Sequence, residues 1–215
     1  MKTVELFSGT GSFSKVAKKK GHSIFKVELN DYFEADLHKN ILDVTLKDLP
    51  KNIDVLWASP PCTAFSVASI GRHCDKDTIL PKTNNALLGI KMLEKSIELI
   101  SEELKKNPDL IWFIENPRGM MRKVIDSLFD KYGLIPIRHT VTYCQYGDTR
   151  MKPTDICTNL EKWDSKPMCK NGAPCHVAAP RGSRTGTQGL KGNMERSVIP
   201  PALFEEIFEV INNES

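Results

Sequence analysis

The sequence predicts an α/β fold in which a mostly parallel sheet carries helices on both faces. Short apolar runs typical of buried strands alternate along the chain with segments of helical periodicity. Strands joined through helices form parallel pairs, and the helices cover both faces of the sheet. With 215 residues, of which 40% are hydrophobic, the chain can bury one good core. We therefore expect one domain with at most a small appendage.

The individual elements follow from the spacing of the apolar residues. Strands are predicted at 2–7, 23–27, 53–58, 110–114 and 135–142. Helices are predicted after Gly11, at 85–106, at 120–132 and from Pro201 onward. The longest helix has an apolar stripe formed by Leu87, Leu88, Met92, Leu93, Ile97, Ile100 and Leu104.

The composition and periodicity of the sequence divide the chain into three parts. Residues 1–148 hold the alternating strands and helices of the main domain. Residues 149–193 are rich in Pro, Gly, Lys, Cys and Arg and keep no period, which favours a long functional loop or small subdomain. Residues 194–215 are predicted to form a helix that packs back on the main domain.

Charge and composition narrow the class of protein without selecting one. The 30 basic and 27 acidic residues give a formal charge of +3, which permits a polyanionic partner but does not require one. No apolar run is long enough for a membrane helix, and the N-terminus enters a strand pattern at once. We expect an intracellular protein whose six cysteines are reduced and serve catalysis or metal binding.

The turn after the first strand and the end of the second strand predict a nucleoside cofactor site. Ser8, Gly9, Thr10 and Gly11 form a small-residue turn that lets backbone approach a ligand closely. Glu28 ends the second predicted strand, about 20 residues after the glycines, where a carboxylate could hold ribose hydroxyls. A solvated strand end explains this residue equally well. Asp43 could contact an adenine ring or could simply cap a helix.

Cys62 is the sharpest chemical feature of the sequence. Pro60 and Pro61 fix the backbone before it, at the point where the third predicted strand ends. A partly exposed thiol at such a junction, with a lowered pKa, would be a nucleophile. A buried structural cysteine is the alternative.

Four segments, in this order, resemble the motifs of the DNA cytosine-5 methyltransferases. ELFSGTGSFS resembles their cofactor loop, ASPPCTAFSVAS their Pro-Pro-Cys motif, FIENPRG their Glu-Asn motif and QYGDTRMKPTDICTN their arginine-containing strand motif. The last is similar to the version in small phage-encoded members. The resemblance covers roughly residues 1–160, with a weaker match at the C-terminal helix.

The resemblance implies a Rossmann-like class I methyltransferase fold and an enzyme that methylates carbon 5 of cytosine in DNA. The methyl donor would be S-adenosylmethionine. Residues 1–148 would be the catalytic domain, and 149–193 would recognise the target. The implied setting is restriction–modification or a phage, in the cytoplasm of a bacterium or an infected host cell.

The resemblance also implies a role for each catalytic residue. Cys62 would add to C6 of cytosine so that C5 can attack the sulfonium methyl group. Glu115 would hydrogen-bond or protonate N3, and Asn116 would fix that geometry. Arg150 would hold the edge of the base or favour the Cys62 thiolate. Glu115 paired with Arg118 is the alternative.

Further expectations concern the donor and the loop after the nucleophile. Phe7 would lie against the adenine ring of the donor, and Pro60 would border its methyl group. The loop at 66–82, which contains Arg72 and His73, would close over the base or would merely be a surface loop.

The target-recognition segment is short for the family, so its readout of sequence would be limited, relaxed or delegated to a partner. Its basic residues suit phosphates or a solvated face equally. They are Lys152, Lys162, Lys166, Lys170, Arg181, Arg184, Lys191 and Arg196. Cys157, Cys169, Cys175 and His176 offer four ligands to zinc, against free loop thiols and a hydrogen-bonded histidine.

Two other functions stay open from the sequence. The same thiolate chemistry could act on another nucleic acid or use a modified donor. A non-catalytic DNA-binding relic is the second alternative, although it would not be expected to keep Cys62, Glu115 and Arg150 together.

Overall fold

A computed structural model describes residues 1–62, 65, 72–75, 77–78, 80–178 and 192–214. Among them, seven strands form one sheet in the order β3-β2-β1-β4-β5-β7-β6. The strands are β1 Lys2–Leu6, β2 Ser23–Glu28, β3 Leu37–His38, β4 Val55–Ala58, β5 Ile111–Pro117, β6 Ile137–Thr142 and β7 Pro153–Thr158. The helices are α1 Ser12–Lys19, α2 Asn84–Leu104, α3 Met121–Tyr132, α4 Asn193–Ser197 and α5 Pro201–Glu214. Short 3-10 helices span Ile41–Asp43 and Tyr143–Tyr146.

The sheet is parallel except for β7, which runs antiparallel to both of its neighbours. The strand order reverses between β1 and β4, and ligands of open α/β sheets bind at such a point, beyond the carboxyl ends of the strands. The predicted mostly parallel α/β fold is confirmed. The turn after β1 and the loop after β4 therefore lie side by side at this edge.

Two apolar layers cover the sheet. Helices α2 and α3 pack on one face, and α1 and α5 pack on the other. In the second layer the ring of Phe13 stacks on Trp57 with centroids 5.5 Å apart, and Phe204 meets both rings edge-on. Helix α5 thus contacts the same face of the sheet that carries the glycine turn.

The sequence interpretation was wrong about where irregular structure begins. Pro153–Thr158 is the buried strand β7, inserted between β5 and β6, so the irregular segment starts only after Thr158. Because both faces of this strand are covered, it shows no alternation of polar and apolar residues. Leu87 and Leu88 also differ from expectation, since both are about 40% exposed while Ala86 and Gly89 are buried.

Parts of two predicted functional segments lie outside the described residues. They include residues 66–71, 76 and 79 of the proposed lid at 66–82, and three of the basic residues, Arg181, Arg184 and Lys191. At the described end of the lid, His73 Nδ1 lies 2.9 Å from the Thr83 hydroxyl that caps α2. Within the described part of the chain, none of the helices combines the length and apolar character needed to span a membrane.

Candidate active site

The turn after β1 has an unusual backbone. Phe7, Gly9 and Gly11 all have positive φ, at 59°, 44° and 67°. Glycine adopts this region freely, whereas for Phe7 it costs on the order of 1 kcal/mol or more. Gly11 is the residue before α1, so the turn delivers the N-terminus of that helix to the edge of the sheet.

Glu28 holds this turn in place at the end of β2. Its carboxylate accepts hydrogen bonds from the backbone N–H groups of Gly9 at 2.8 Å and of Leu29 and Asn30 at 3.0 Å. A carboxylate has about four acceptor positions, so roughly one is left for a ligand. The alternative of a freely solvated strand end does not describe this residue.

The other predicted cofactor residues surround the same edge. Ser8 is buried, and its hydroxyl has no hydrogen-bond partner within the described chain. Pro60 is buried in the loop after β4. Asp43 is exposed, and Asn40 rather than Asp43 caps the 3-10 helix, so the capping alternative is wrong.

A cleft of about 630 Å³ opens beside the turn. Its lining includes the turn residues Gly9, Thr10 and Gly11, residues of α1 and β2, and Tyr32 and Phe33, but not Phe7, Ser8 or Glu28. Sites for small ligands commonly have volumes of about 300–1,000 Å³. The cleft can therefore admit a nucleoside-sized group next to the glycine turn.

Cys62 lies on a loop that is fastened on both sides. Before it, the Asn116 side-chain amide donates to the Pro60 carbonyl at 2.8 Å. After it, the Phe65 N–H donates to the Cys62 carbonyl at 2.9 Å, and the Met120 N–H donates to the Phe65 carbonyl at 2.8 Å. Phe65 is fully buried against Gly89 of α2. The thiol is therefore held on a rigid support.

Glu115 is buried at the end of β5, the strand next to β4. The Tyr143 hydroxyl donates to its Oε1 at 3.0 Å. Arg118, the predicted alternative partner of Glu115, instead contacts the Met168 sulfur at 3.8 Å. One carboxylate oxygen is thus oriented by a buried tyrosine.

The electrostatics at Cys62 differ from the expected lowered pKa. Burial raises the pKa of the Cys62 thiol, and the neighbouring Glu115 carboxylate raises it further. Lys152 and Arg196 act in the opposite direction, but they do not outweigh burial. The thiol is therefore favoured over the thiolate in the protein without substrate.

Arg150 also differs from its expected role at the base or beside the thiol. It is only 3% exposed, and its Nε and Nη2 donate to the Asp148 carboxylate. Nη1 donates to the carbonyls of Glu195 and Arg196, and Nη2 also donates to the carbonyl of Val198. Since these contacts use all five guanidinium N–H groups, Arg150 acts on the segment before α5.

Three residues of the site were missed by sequence reasoning as parts of its chemistry. Tyr143 contacts Glu115, Lys152 influences Cys62, and Glu5 supports the glycine turn. The Lys152 ammonium lies 4.8 Å from the Tyr143 ring centroid and donates to the Arg196 carbonyl at 3.1 Å. Tyr143 follows β6 and Lys152 precedes β7, and these two strands pair. The sequence did not show that they are neighbours, because β7 was not predicted.

The predicted zinc ligands are only partly brought together. Cys169, Cys175 and His176 form a group with Cys144, whose four ligand atoms all lie within 4.8 Å of one another. Cys157 is not a member, because it lies on β7 and packs in the apolar layer beneath α2 and α3. The inclusion of Cys157 was therefore wrong.

The sheet order and the helices on both faces define a Rossmann-like α/β methyltransferase fold. The chain is similar to the solved structure of the Entamoeba histolytica methyltransferase EhMeth, with a TM-score of 0.52 and 16% identity. The match covers 79% of this chain and 57% of that one. The chain thus spans little more than half the length of this structural neighbour.

The chain belongs to the C-5 cytosine-specific DNA methylase family, whose model matches residues 1–129. It is also 31% identical over 231 aligned positions to the probable DNA (cytosine-5)-methyltransferase of frog virus 3 (isolate Goorha). That match covers 98% of this chain and all of the relative. The predicted family and enzyme class are confirmed, whereas a phage source and a restriction–modification role stay predictions.

Proposed function

We propose that this chain transfers a methyl group from S-adenosylmethionine to carbon 5 of cytosine in DNA through a covalent bond to Cys62. The observation that carries the proposal is the pairing of Cys62 with a buried Glu115 at the ends of two adjacent strands. A nucleophile and an acid held by one support are what addition to a pyrimidine ring requires.

The turn and the second strand support S-adenosylmethionine as the donor. Glu28 keeps about one acceptor position for a ribose hydroxyl. The buried Ser8 hydroxyl forms no hydrogen bond with any described residue, so it can bind a ligand. Phe7 is half-buried at the same turn and offers a ring to adenine. The bound donor would supply an electrophilic methyl group on a sulfonium centre.

Each step uses a group of this chain. The Cys62 thiolate forms a bond to C6 of the cytosine, and the electron pair moves to C5, which then attacks the methyl group. Glu115 stabilises the charge on the ring by donating to or hydrogen-bonding N3. Water then accepts the C5 proton, the C5–C6 double bond re-forms and Cys62 leaves as a thiolate, which restores the aromatic ring. Tyr143 and Asn116 act as positioning residues, because each contacts the support and not the reacting carbons.

The raised pKa of Cys62 fits a site that activates its nucleophile only with substrate present. A cytosine within the duplex stack cannot reach a half-buried thiol, so the base has to leave the stack. A cytosine that binds with N3 protonated by solvent would place a positive charge against the Glu115 carboxylate and offset the negative charge that raises the pKa of Cys62. Substrate binding and thiolate formation would thereby favour each other.

The test is mass spectrometry of nucleosides from plasmid DNA incubated with the protein and S-adenosylmethionine. We expect 5-methyldeoxycytidine with the wild type and none with Cys62→Ala. Cys157→Ala is the control, because Cys157 is buried in the apolar layer beneath α2 and α3, away from the site. Unmodified DNA that the protein nevertheless binds would contradict the proposal and favour a relic, and product on RNA alone would indicate another substrate.

A further inference from the structure

Four potential metal ligands converge beside the active site, at the C-terminal end of β6. Cys144 lies in the 3-10 helix Tyr143–Tyr146, and Cys169, Cys175 and His176 come from the irregular segment after β7. The sulfur of Cys144 is 3.1 Å from that of Cys169 and 3.6 Å from that of Cys175. The Nδ1 atom of His176 is 3.6 Å from the Cys169 sulfur and 3.8 Å from the Cys175 sulfur.

These separations suit one tetrahedral ion. Zinc bonds of about 2.3 Å to sulfur and 2.0–2.1 Å to nitrogen place neighbouring ligand atoms of a tetrahedron roughly 3.5–3.8 Å apart. Of these four separations, three fall in or at the edge of that range, and the Cys144–Cys169 separation is somewhat shorter. Three thiolates and one imidazole are also a ligand set that zinc favours in structural sites.

The segment that supplies three of the ligands has few other means of holding its shape. Its first part is anchored by the buried Trp163, whose indole N–H donates to Glu206 of α5 at 3.0 Å. Residues 167–178 contain no helix or strand, and Cys169 is their only fully buried residue. An apolar core is therefore missing at the place where the four ligands meet, which is where small segments commonly use a metal.

We propose that Cys144, Cys169, Cys175 and His176 bind one structural Zn²⁺ that closes the segment 167–178 onto the catalytic domain. Cys144 directly follows Tyr143, which orients Glu115. The segment is already joined to β6 by the Cys169 N–H, which donates to the Thr142 hydroxyl at 3.0 Å. Its far end is joined by the Val177 N–H, which donates to the Thr149 carbonyl at 2.9 Å. The ion would thus couple the order of this segment to the position of Tyr143.

The first test is the metal content of the intact protein, which does not depend on methyl transfer. Elemental analysis of protein purified without chelator should find about one zinc per chain. Cys144→Ser and His176→Ala should each lose most of it, whereas the matched control Cys157→Ser should keep it. Equal zinc in Cys144→Ser and the wild type, or loss only in Cys157→Ser, would overturn the assignment.

A second measurement uses only the wild type and so avoids variants that fail to fold. Alkylation mapped by peptide mass spectrometry should find Cys144, Cys169 and Cys175 protected together, and a chelator should expose all three in one step. Cobalt substituted for zinc should give the visible absorption of tetrahedral thiolate coordination. Protein that lacks metal and carries a Cys144–Cys169 disulfide, or thiols that react independently of chelator, would contradict the proposal.

Discussion

At the scale of single residues, the charges around Cys62 are opposed. Burial and Glu115 raise the pKa of the thiol, while Lys152 and Arg196 lower it. Arg150 is close in sequence to Lys152, but its N–H groups donate to Asp148 and to backbone carbonyls before α5. Its contribution to the site is therefore to hold the segment that carries Arg196.

Because of these opposed charges, Glu115→Gln should make the Cys62 thiol more reactive and methyl transfer slower. Removal of the carboxylate lowers the pKa of Cys62, so alkylation by iodoacetamide at neutral pH should speed up roughly threefold or more. Methyl transfer should fall about 100-fold or more, because the acid is gone. Lys152→Met should shift alkylation in the other direction. The measurement is the alkylation rate of Cys62 against pH, beside methyl incorporation.

The matched control for Glu115→Gln is Glu209→Gln, since Glu209 is exposed on α5. It should change neither rate. Slower alkylation in Glu115→Gln, or full methyl transfer by it, would show that Glu115 does not act on Cys62 as described.

At the scale of elements, the glycine turn rests on a buried acid in β1. Glu5 accepts hydrogen bonds from the Phe13 and Ser14 N–H groups at the start of α1, and from the Ser14 hydroxyl. Burial raises the pKa of Glu5 from 4.5 to about 7, although those bonds act against the rise. The N-terminus of α1 is thus joined to β1 by a carboxyl group that titrates near neutrality.

The raised pKa of Glu5 gives stability a specific dependence on pH. A group whose pKa is higher in the folded state contributes fully below its unfolded pKa, near 4.5, and loses that contribution as the pH rises through about 7. Relative to Glu5→Gln, the wild type should lose up to about 3 kcal/mol of unfolding free energy between pH 5 and pH 8. Urea denaturation of both proteins measures this. Parallel pH profiles would contradict the assignment.

The support beneath Cys62 predicts an effect of one added methyl group in α2. A Cβ atom at Gly89 would lie 2.8 Å from Cε2 of Phe65, so Gly89→Ala forces the ring and the Cys62 loop to move. Overpacking of this kind costs about 1–3 kcal/mol, and methyl transfer should fall with it. Thermal denaturation and kcat provide the readouts.

The smaller side chain in Phe65→Leu should relieve that clash, so the double variant should be more stable than the sum of the single changes predicts. Leu87→Ala on the same helix is the control, because Leu87 is 43% exposed and should change little. Strict additivity of Gly89→Ala and Phe65→Leu would show that the two residues do not press on each other.

The sequence predicted those parts of the site that lie at the carboxyl ends of the parallel strands. The turn at Gly9 and Gly11, the carboxylate of Glu28 and the pair Cys62 and Glu115 all follow strands with clear apolar runs. Their convergence follows from the geometry of a parallel sheet.

What the sequence did not predict depends on β7. Its burial on both faces hid it within the irregular segment, and its antiparallel insertion between β5 and β6 sets which residues meet. Cys157 therefore faces the apolar layer of α2 and α3, and Cys144 joins the cysteine group. Two backbone carbonyls that accept from Arg150 are about 45 residues away in the sequence, and no local sequence pattern predicts these contacts.

At the scale of the whole molecule, one sheet edge carries Cys62, Glu115 and the predicted donor site, and the segment after β7 lies beside them. That segment reaches the active site through Thr142 and Cys144, which flank Tyr143. The segment predicted to recognise the target is therefore adjacent to the proposed catalytic residues.

The proposed bond between Cys62 and the base can be trapped chemically. DNA duplexes with 5-fluorocytosine in place of cytosine should form a complex with the wild type and S-adenosylmethionine that survives denaturation, because fluorine at C5 cannot leave as a proton does. Peptide mapping should find the nucleotide on Cys62, and Cys62→Ala should form no complex. Methylation of ordinary DNA without a trapped complex, or a complex attached to another residue, would show that Cys62 is not the nucleophile.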